Sequence, residues 1–227
     1  MEIEEEKLDH PVWYSLQEEH HELSAEYDNI RFYKPKYCPF GEFIEQDKTT
    51  TGINEYSLLT EDFYVVGNSP AFSNNIKLKK ELVCHQMLLK EPFDLVISEC
   101  ITELKTINQK IDLLKLVNLV QPGYFKDNTS DLGSYYGIYK DHKLVAVTGE
   151  RMKMNKYTEV SAVVTHPEYT GKGYAKQLIK HTTDEIFKEN KIPYLHVAES
   201  NTGAIKLYKK LGFSTRRKIS FWNLIKK

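Results

Sequence analysis

Thr165-His166-Pro167-Glu168-Tyr169-Thr170-Gly171-Lys172-Gly173-Tyr174-Ala175 stands where the periodicity of the chain changes. Upstream, Thr158-Glu159-Val160-Ser161-Ala162-Val163-Val164 is rich in β-branched and short apolar residues, which predicts a strand. Downstream, Ala175, Leu178, Ile179, Thr182 and Ile186 fall at helical spacing. The glycines therefore occupy a strand-to-helix turn, where unpaired backbone N–H groups and the helix dipole favour an anion. Glycines allow a large anion to approach that backbone, so the expected ligand is a phosphate or pyrophosphate. The same two glycines also suit plain loop chemistry. Neither G-x-x-x-x-G-K-[ST] nor G-x-G-x-x-G is present.

A second stretch narrows the reading. Ile192 to Ala198 predicts a short strand, and Glu199-Ser200-Asn201-Thr202-Gly203-Ala204-Ile205-Lys206-Leu207-Tyr208-Lys209-Lys210-Leu211-Gly212-Phe213 predicts a helix. Ser200 or Asn201 caps its start and Gly212 ends it. Asn201, Ala204, Ile205, Tyr208 and Leu211 share one face, and two turns, about 10 Å, separate Asn201 from Tyr208.

From Glu159 to Phe213 the sequence resembles the GNAT superfamily of acyl-CoA-dependent N-acyltransferases. Thr170-Gly171-Lys172-Gly173-Tyr174-Ala175 is similar to that family's (Gln or Arg)-x-x-Gly-x-(Gly or Ala) loop, with Thr170 where Gln or Arg is usual. Asn201-x-x-Ala204-Ile205-x-Leu207-Tyr208-x-x-Leu211-Gly212-Phe213 is similar to its C-terminal motif, particularly the branch holding glycine N-acyltransferases. The resemblance implies an α/β (α+β) fold: a mixed, mostly antiparallel sheet flanked by helices, here with an N-terminal accessory α/β region.

What the resemblance implies for the site can be stated residue by residue. Backbone N–H groups from Gly171 through Lys172, Gly173 and Tyr174 to Ala175, with Thr170 before them, hold the pyrophosphate of acetyl-CoA. Val163, Val164 and Thr165 pair with the pantetheine arm like an added strand, and Asn201 bonds its amides. Tyr208 is the expected general acid, since a phenol of ordinary pKa about 10 can protonate a thiolate. Glu159, eleven residues before Thr170, is the expected general base. A free carboxylate near 4.3 is a poor base, so burial is expected to raise its pKa. Glu159 at a strand end in solvent, and Tyr208 as a half-buried aromatic, are the structural alternatives.

Other polar residues carry weaker expectations. Arg151, next to Glu150, could clamp a substrate carboxylate or form an ion pair between strands. Glu199 and Ser200 order a water or cap a helix, and His166, before Pro167, is structural. His196 has no visible triad partners, and no Ser-His-Asp or Cys-His arrangement emerges, so direct transfer to the amine is expected. Glu18-Glu19-His20-His21-Glu22 reads as a solvated helix face, because adjacent helical residues point apart. No metal is expected.

At 227 residues, 41% hydrophobic and 28% charged, the composition is that of a globular protein with room for one large or two small domains. No apolar run approaches the ~20 residues that span a bilayer, and the acidic N-terminus is unlike a signal peptide. Three scattered cysteines, Cys38, Cys84 and Cys100, suggest neither a disulfide framework nor a zinc site. A cytoplasmic protein that binds no membrane is expected. Residues 1–92 hold 18 acidic against 9 basic residues, and residues 93–227 hold 14 against 22. A basic C-terminal part suits a polyanion such as CoA. It would also suit nucleic acid, but no nucleic-acid motif accompanies it.

The pattern changes near Glu91-Pro92, which places the boundary between an accessory or lid domain (1–92) and the acetyltransferase domain (93–227). In the first part a helix is expected from Asp9 to Leu23, with strands near Ile30–Tyr33, Gly41–Ile44 and Phe63–Gly67 and a long strand or hairpin arm from Ile76 to Leu89. Its aromatics, Trp13, Tyr14, Phe32, Tyr33, Tyr37, Phe40 and Phe43, belong to a core or line an acceptor pocket. Beyond the boundary, helices are expected over Asp94–Gln109 and Ile111–Val120, followed by a hairpin, Ser134–Tyr139 with Lys143–Met152. A final strand is expected from Phe213 to Ile225.

The whole chain thus reads as an N-acetyltransferase moving acetyl from acetyl-CoA to a primary amine, on a small molecule or a peptide. Another acyl donor, or an amino-acid acceptor such as glycine, keeps the same fold. A non-catalytic acyl-CoA-binding module is the alternative of another class. A homodimer is one expectation that the sequence leaves open.

Overall fold

β-Branched and aromatic runs separated by turn residues give this chain more strand than helix, and the strands join into one sheet. The computed structural model describes residues 2–46 and 49–227. The first part contains α1 (Glu2–Glu6), α2 (Pro11–Gln17), β1 (Ser24–Tyr27), β2 (Ile30–Tyr33), β3 (Phe40–Phe43), α3 (Thr49–Tyr56), β4 (Asp62–Val66) and β5 (Ile76–Leu88). There follow β6 (Thr102–Glu103), α4 (Ile107–Val120), β7 (Tyr135–Lys140), β8 (Lys143–Lys153) and β9 (Tyr157–Thr165). The chain closes with α5 (Tyr174–Lys188), β10 (Ile192–Ala198), α6 (Thr202–Lys210) and β11 (Ser214–Lys226).

Eleven strands lie in the order β1-β2-β3-β4-β11-β5-β10-β9-β8-β7-β6. Only β3–β4 and β9–β10 pair in parallel. This is the mixed, mostly antiparallel sheet flanked by helices that the sequence implies. β5 lies between β10 on one side and β11 on the other, so a strand from the first ninety residues sits inside the sheet of the second part.

Helices cover both faces. On one, Leu8, Val12 and Leu16 pack with Tyr33, Cys38, Met152, Tyr194 and Phe221. On the other, Ile179 and Ile186 of α5 and Tyr208 of α6 pack with Met87, Val160, Leu195 and Val197. Each such aliphatic side chain contributes roughly 1.5–3 kcal/mol by leaving water. On α5, Leu178, Ile179, Thr182 and Ile186 are buried at the spacing the sequence shows, and Ala175 is half-buried. Among the described residues no helix is long and apolar enough to cross a membrane.

Three local expectations fail. Asp94–Gln109 is not one helix: residues 91–101 form no regular element and lie against α5, and β6 follows. The stretch is fastened by Gln177, whose Oε1 accepts from Ser98 N at 2.8 Å and Glu99 N at 3.0 Å. Helix begins only where Thr106 and Gln109 form a capping box, and the expected Ile111–Val120 helix is its continuation. The expected Asp9–Leu23 helix stops at Gln17, and Glu18 and His20 leave helical geometry. There His20 turns inward, its Nδ1 bonded to Tyr33 Oη at 2.8 Å and its Nε2 to the Leu132 carbonyl at 3.0 Å. It is therefore no part of a solvated face. One element stands outside those expectations: α3 forms on Thr-Thr-Thr-Gly, residues of low helix propensity, because Ile53 and Tyr56 bury against Ile30, Phe32 and Phe63.

Candidate active site

The site starts from a divergence of two strands. β9 and β10 pair only over Tyr157–Glu159 and Ile192–Tyr194. Beyond that point β10 continues along β5, and β9 continues along β8. From Val160 onward the edge of β9 facing β10 has no strand partner among the described residues. The register also shifts there, with Gly149 opposite Ser161 but Val147 opposite Val164, so β9 carries an extra residue, a bulge. Ala162 in the bulge has φ 51, a left-handed conformation that costs an L-residue roughly 1–2 kcal/mol. Such strain gathers where backbone groups are re-aimed for use.

At the end of β9 comes the glycine turn. Gly171 and Gly173 have φ 77 and 78, and Gly173 is the N-cap of α5. The N–H groups of Gly171 through Ala175 donate to no described residue. Thr170, Gly171 and Lys172 are exposed, and Tyr174 is buried. This open cradle of donors at a helix start fits a pyrophosphate. The Thr170 hydroxyl donates to the Pro167 carbonyl at 3.1 Å, and so closes the turn. His166 Nδ1 accepts from Glu168 N at 3.3 Å, a structural part.

The diverging strands open a cavity of about 370 Å³. Val160, Ser161, Ala162 and Val163 form one wall, and Ala198, Asn201, Ala204 and Tyr208 another. Val164 and Thr165 do not line it: Val164 buries its side chain against α4, and Thr165 is paired with Ala146. Asn201 caps α6, its Oδ1 accepting from Ala204 N at 3.1 Å, and Ser200 does not. The Tyr208 phenol is raised above its ordinary value by burial and donates to no described residue. Of the aromatics named in the first ninety residues, Phe40 alone lines the cavity. Phe32 is instead stacked on Tyr56 at 3.9 Å.

The cavity floor holds a buried ion pair. Arg151 Nε donates to Glu159 Oε2 at 2.7 Å and Nη2 to Oε1 at 2.8 Å. The guanidinium lies 4.7 Å from the Phe40 ring centroid. His196 Nδ1 lies 2.9 Å from Glu159 Oε1, and a carboxylate can only accept, so Nδ1 carries the proton. His196 Nε2 then accepts from Gln86 Nε2 at 3.2 Å. Gln86 in turn accepts from Arg216 Nη1 at 3.1 Å, and Arg216 pairs with Asp9. Five neighbouring strands each contribute one side chain to this chain of contacts.

Burial alone would raise the Glu159 carboxyl. The charge and hydrogen bonds of Arg151, with His196, outweigh it and hold the pKa at about 2. The upward shift expected from the sequence is absent, because its opposing partners come from strands far away in the chain. Glu150 lies off the cavity and pairs with Lys153 at 2.8 Å, and Glu199 pairs with Lys218 outside it. The sequence shows no partner for His196, and it does not single out Gln86. Their sequence separation is 110 residues, and only the β5–β10 register places them side by side.

A family model described as FR47-like protein matches residues 135–222, which span β7 through most of β11. A Novosphingobium aromaticivorans protein assigned to the GNAT family of acetyltransferases is 30% identical, covering 97% of this chain and 98% of its own, with a TM-score of 0.88. The chain belongs to the GNAT family. The fold of this GNAT protein is shared more widely. A GCN5-related N-acetyltransferase-like protein from Streptococcus suis matches with 15% identity over 87% of this chain and 83% of its own, at a TM-score of 0.61. A GCN5-related N-acetyltransferase from Kribbella flavida matches with 10% identity over 97% and 94%, at a TM-score of 0.62. No protein of curated function matches the sequence. The strand divergence, the bulge and the glycine cradle of this GNAT protein all lie within or beside the 135–222 stretch.

Proposed function

We propose that this GNAT protein transfers acetyl from acetyl-CoA to a primary amine by direct attack. One observation carries the reading: an unpaired strand edge leads from the glycine cradle past the Ala162 bulge into a cavity closed by Tyr208. The cradle, with Thr170, Lys172 and Tyr174 around it, holds pyrophosphate. The open edge of β9, from Val163 through Val164 to Thr165, offers backbone donors and acceptors to the pantetheine amides, and Asn201 offers its side-chain amide. Acetyl-CoA supplies the activated thioester.

Tyr208 donates the proton that the departing sulfur needs. With its pKa near 2, Glu159 is ionised throughout the physiological range and fits an electrostatic anchor for the amine better than a proton acceptor. Residues 1–92 supply the acceptor-side wall: Phe40, Lys80, Leu82 and Cys84 line the cavity, and the last three lie on β5, which is built into the sheet.

Calorimetric titration with acetyl-CoA and with CoA, followed by a thiol-release assay on an amine panel, tests the reading. Micromolar binding weakened by salt, with turnover that falls roughly 100-fold or more in Tyr208→Phe, is expected. No binding at millimolar acetyl-CoA would overturn it.

A further inference from the structure

Arg151 spends two of its donor atoms on Glu159 and leaves the third. Its Nη1 makes no hydrogen bond to a described residue, yet it is not among the sealed, unpartnered buried atoms. Arg151 and Glu159 both line the cavity, and the Arg151 side chain keeps 13% of its surface exposed. The guanidinium cannot easily swing away, being held by two bonds to Glu159 and lying over the Phe40 ring. The cavity therefore presents one fixed cation beside one fixed anion. Next to them stands an apolar wall drawn from three strands and the loop after α4: Phe40, Leu82, Phe221 and Tyr124. The rings of Phe40 and Phe221 meet edge-on at 5.3 Å, and Phe40 and Tyr124 are 6.4 Å apart.

We infer that the acceptor is a free α-amino acid with a large apolar side chain, its carboxylate on Arg151 Nη1, its α-nitrogen beside Glu159 and its side chain on the aromatic wall. This rests on the acyltransferase reading above. The charge pattern matches at short range. In an α-amino acid the nitrogen and carboxylate carbon are about 2.5 Å apart, set by the N–Cα and Cα–C bonds. A zwitterion laid antiparallel to the Arg151–Glu159 pair meets opposite charge at both ends. An amine without a carboxylate leaves Arg151 Nη1 unanswered, and an amino acid without a side chain leaves the wall bare. A peptide N-terminus carries its carboxylate too far from its amine to use both.

The transfer balances. The α-ammonium gives one proton to solvent, and the neutral nitrogen forms a C–N bond to the thioester carbonyl carbon. The C–S bond breaks, and the sulfur takes a proton from Tyr208. The second proton of the attacking nitrogen passes to solvent and Tyr208 is reprotonated from solvent. The products are one N-acetyl amino acid, one CoA thiol and one proton.

The test follows thiol release from acetyl-CoA with L-phenylalanine, L-phenylalanine amide, phenethylamine and glycine, while calorimetry measures acetyl-CoA binding separately. Expected is a kcat/KM for L-phenylalanine roughly 10-fold or more above each of the others. Arg151→Gln is expected to erase the preference of acid over amide through KM and to leave acetyl-CoA affinity unchanged. If that variant fails to fold, the panel on the unaltered protein still decides. Equal or better use of the amide or phenethylamine overturns the carboxylate contact, and better use of glycine overturns the wall, with acyl transfer standing in both cases. Absence of acetyl-CoA binding removes the acyltransferase reading and this inference with it.

Discussion

Arg151 and Glu159 grip each other side-on, two parallel N–H···O bonds of 2.7 and 2.8 Å on the buried face of neighbouring strands. A planar fork against a carboxylate fixes both groups in angle as well as in distance. Removing one partner leaves the other charged and buried.

Glu159→Gln is therefore expected to lower stability by about 3–5 kcal/mol, measured by urea unfolding at pH 7. The pH dependence has a definite sign. Its folded pKa, about 2, is below the unfolded value, so its stabilisation is complete above about pH 5 and declines as pH falls toward 2. The variant should lose that part of the acid slope, and an unchanged slope would contradict the burial of the pair.

A second titration runs through His20. Burial holds it neutral with a pKa of about 4, the nearby Lys153 adding to the effect against the Leu132 hydrogen bond. The unfolded chain, near 6.5, binds the proton first, so stability is full above pH 6.5 and falls as pH drops toward 4. At ~1.4 kcal/mol per pH unit the loss amounts to about 3 kcal/mol. Melting curves from pH 7.5 to 4.5 should show it, and His20→Gln should flatten them.

Gln177→Ala should loosen the segment that crosses α5. The side chain is buried, and its Oε1 serves the backbone of both Ser98 and Glu99. Leaving those N–H groups unpaired costs about 1–3 kcal/mol. Amide exchange is expected to quicken at residues 96–101 before it does in α5 itself. Equal protection in both proteins would show that the bonds do not hold the segment.

In Gly173→Ala, the new methyl meets Lys176 Cε at 2.9 Å and the residue must keep φ 78. The lysine can move, but the backbone strain of roughly 1–2 kcal/mol remains. Acetyl-CoA affinity should drop on the order of 10-fold while the melting temperature moves by a few degrees. Unaltered affinity would place the pyrophosphate elsewhere.

Elements written in local sequence were the ones legible beforehand. The β9–turn–α5 unit, the Asn201 cap and the β7–β8 hairpin each rest on one continuous stretch of sequence. The Asp94–Gln109 stretch misled because Leu95, Val96, Ile97 and Ile101 mimic a helical stripe, although Val96 is 87% exposed and the backbone is held by Gln177 instead. The same limit governs the site. Thr170 through Ala175 could be placed from a motif, but the environment of Glu159 depends on Arg151, His196 and Gln86, brought together only by strand register. Phe40, Tyr124 and Phe221 form a wall for the same reason, and no spacing in the sequence joins them.

The position of β5 between β10 and β11 has a bearing on biosynthesis. Ile76–Leu88 leaves the ribosome with neither flanking strand yet made, and its partners Ile192–Ala198 and Ser214–Lys226 are translated last. At roughly 5–20 residues per second the strand waits on the order of ten seconds with both edges open. Lys77, Lys79, Lys80 and Glu81 along its first half keep that waiting segment charged and so guard it against pairing with a neighbouring nascent chain.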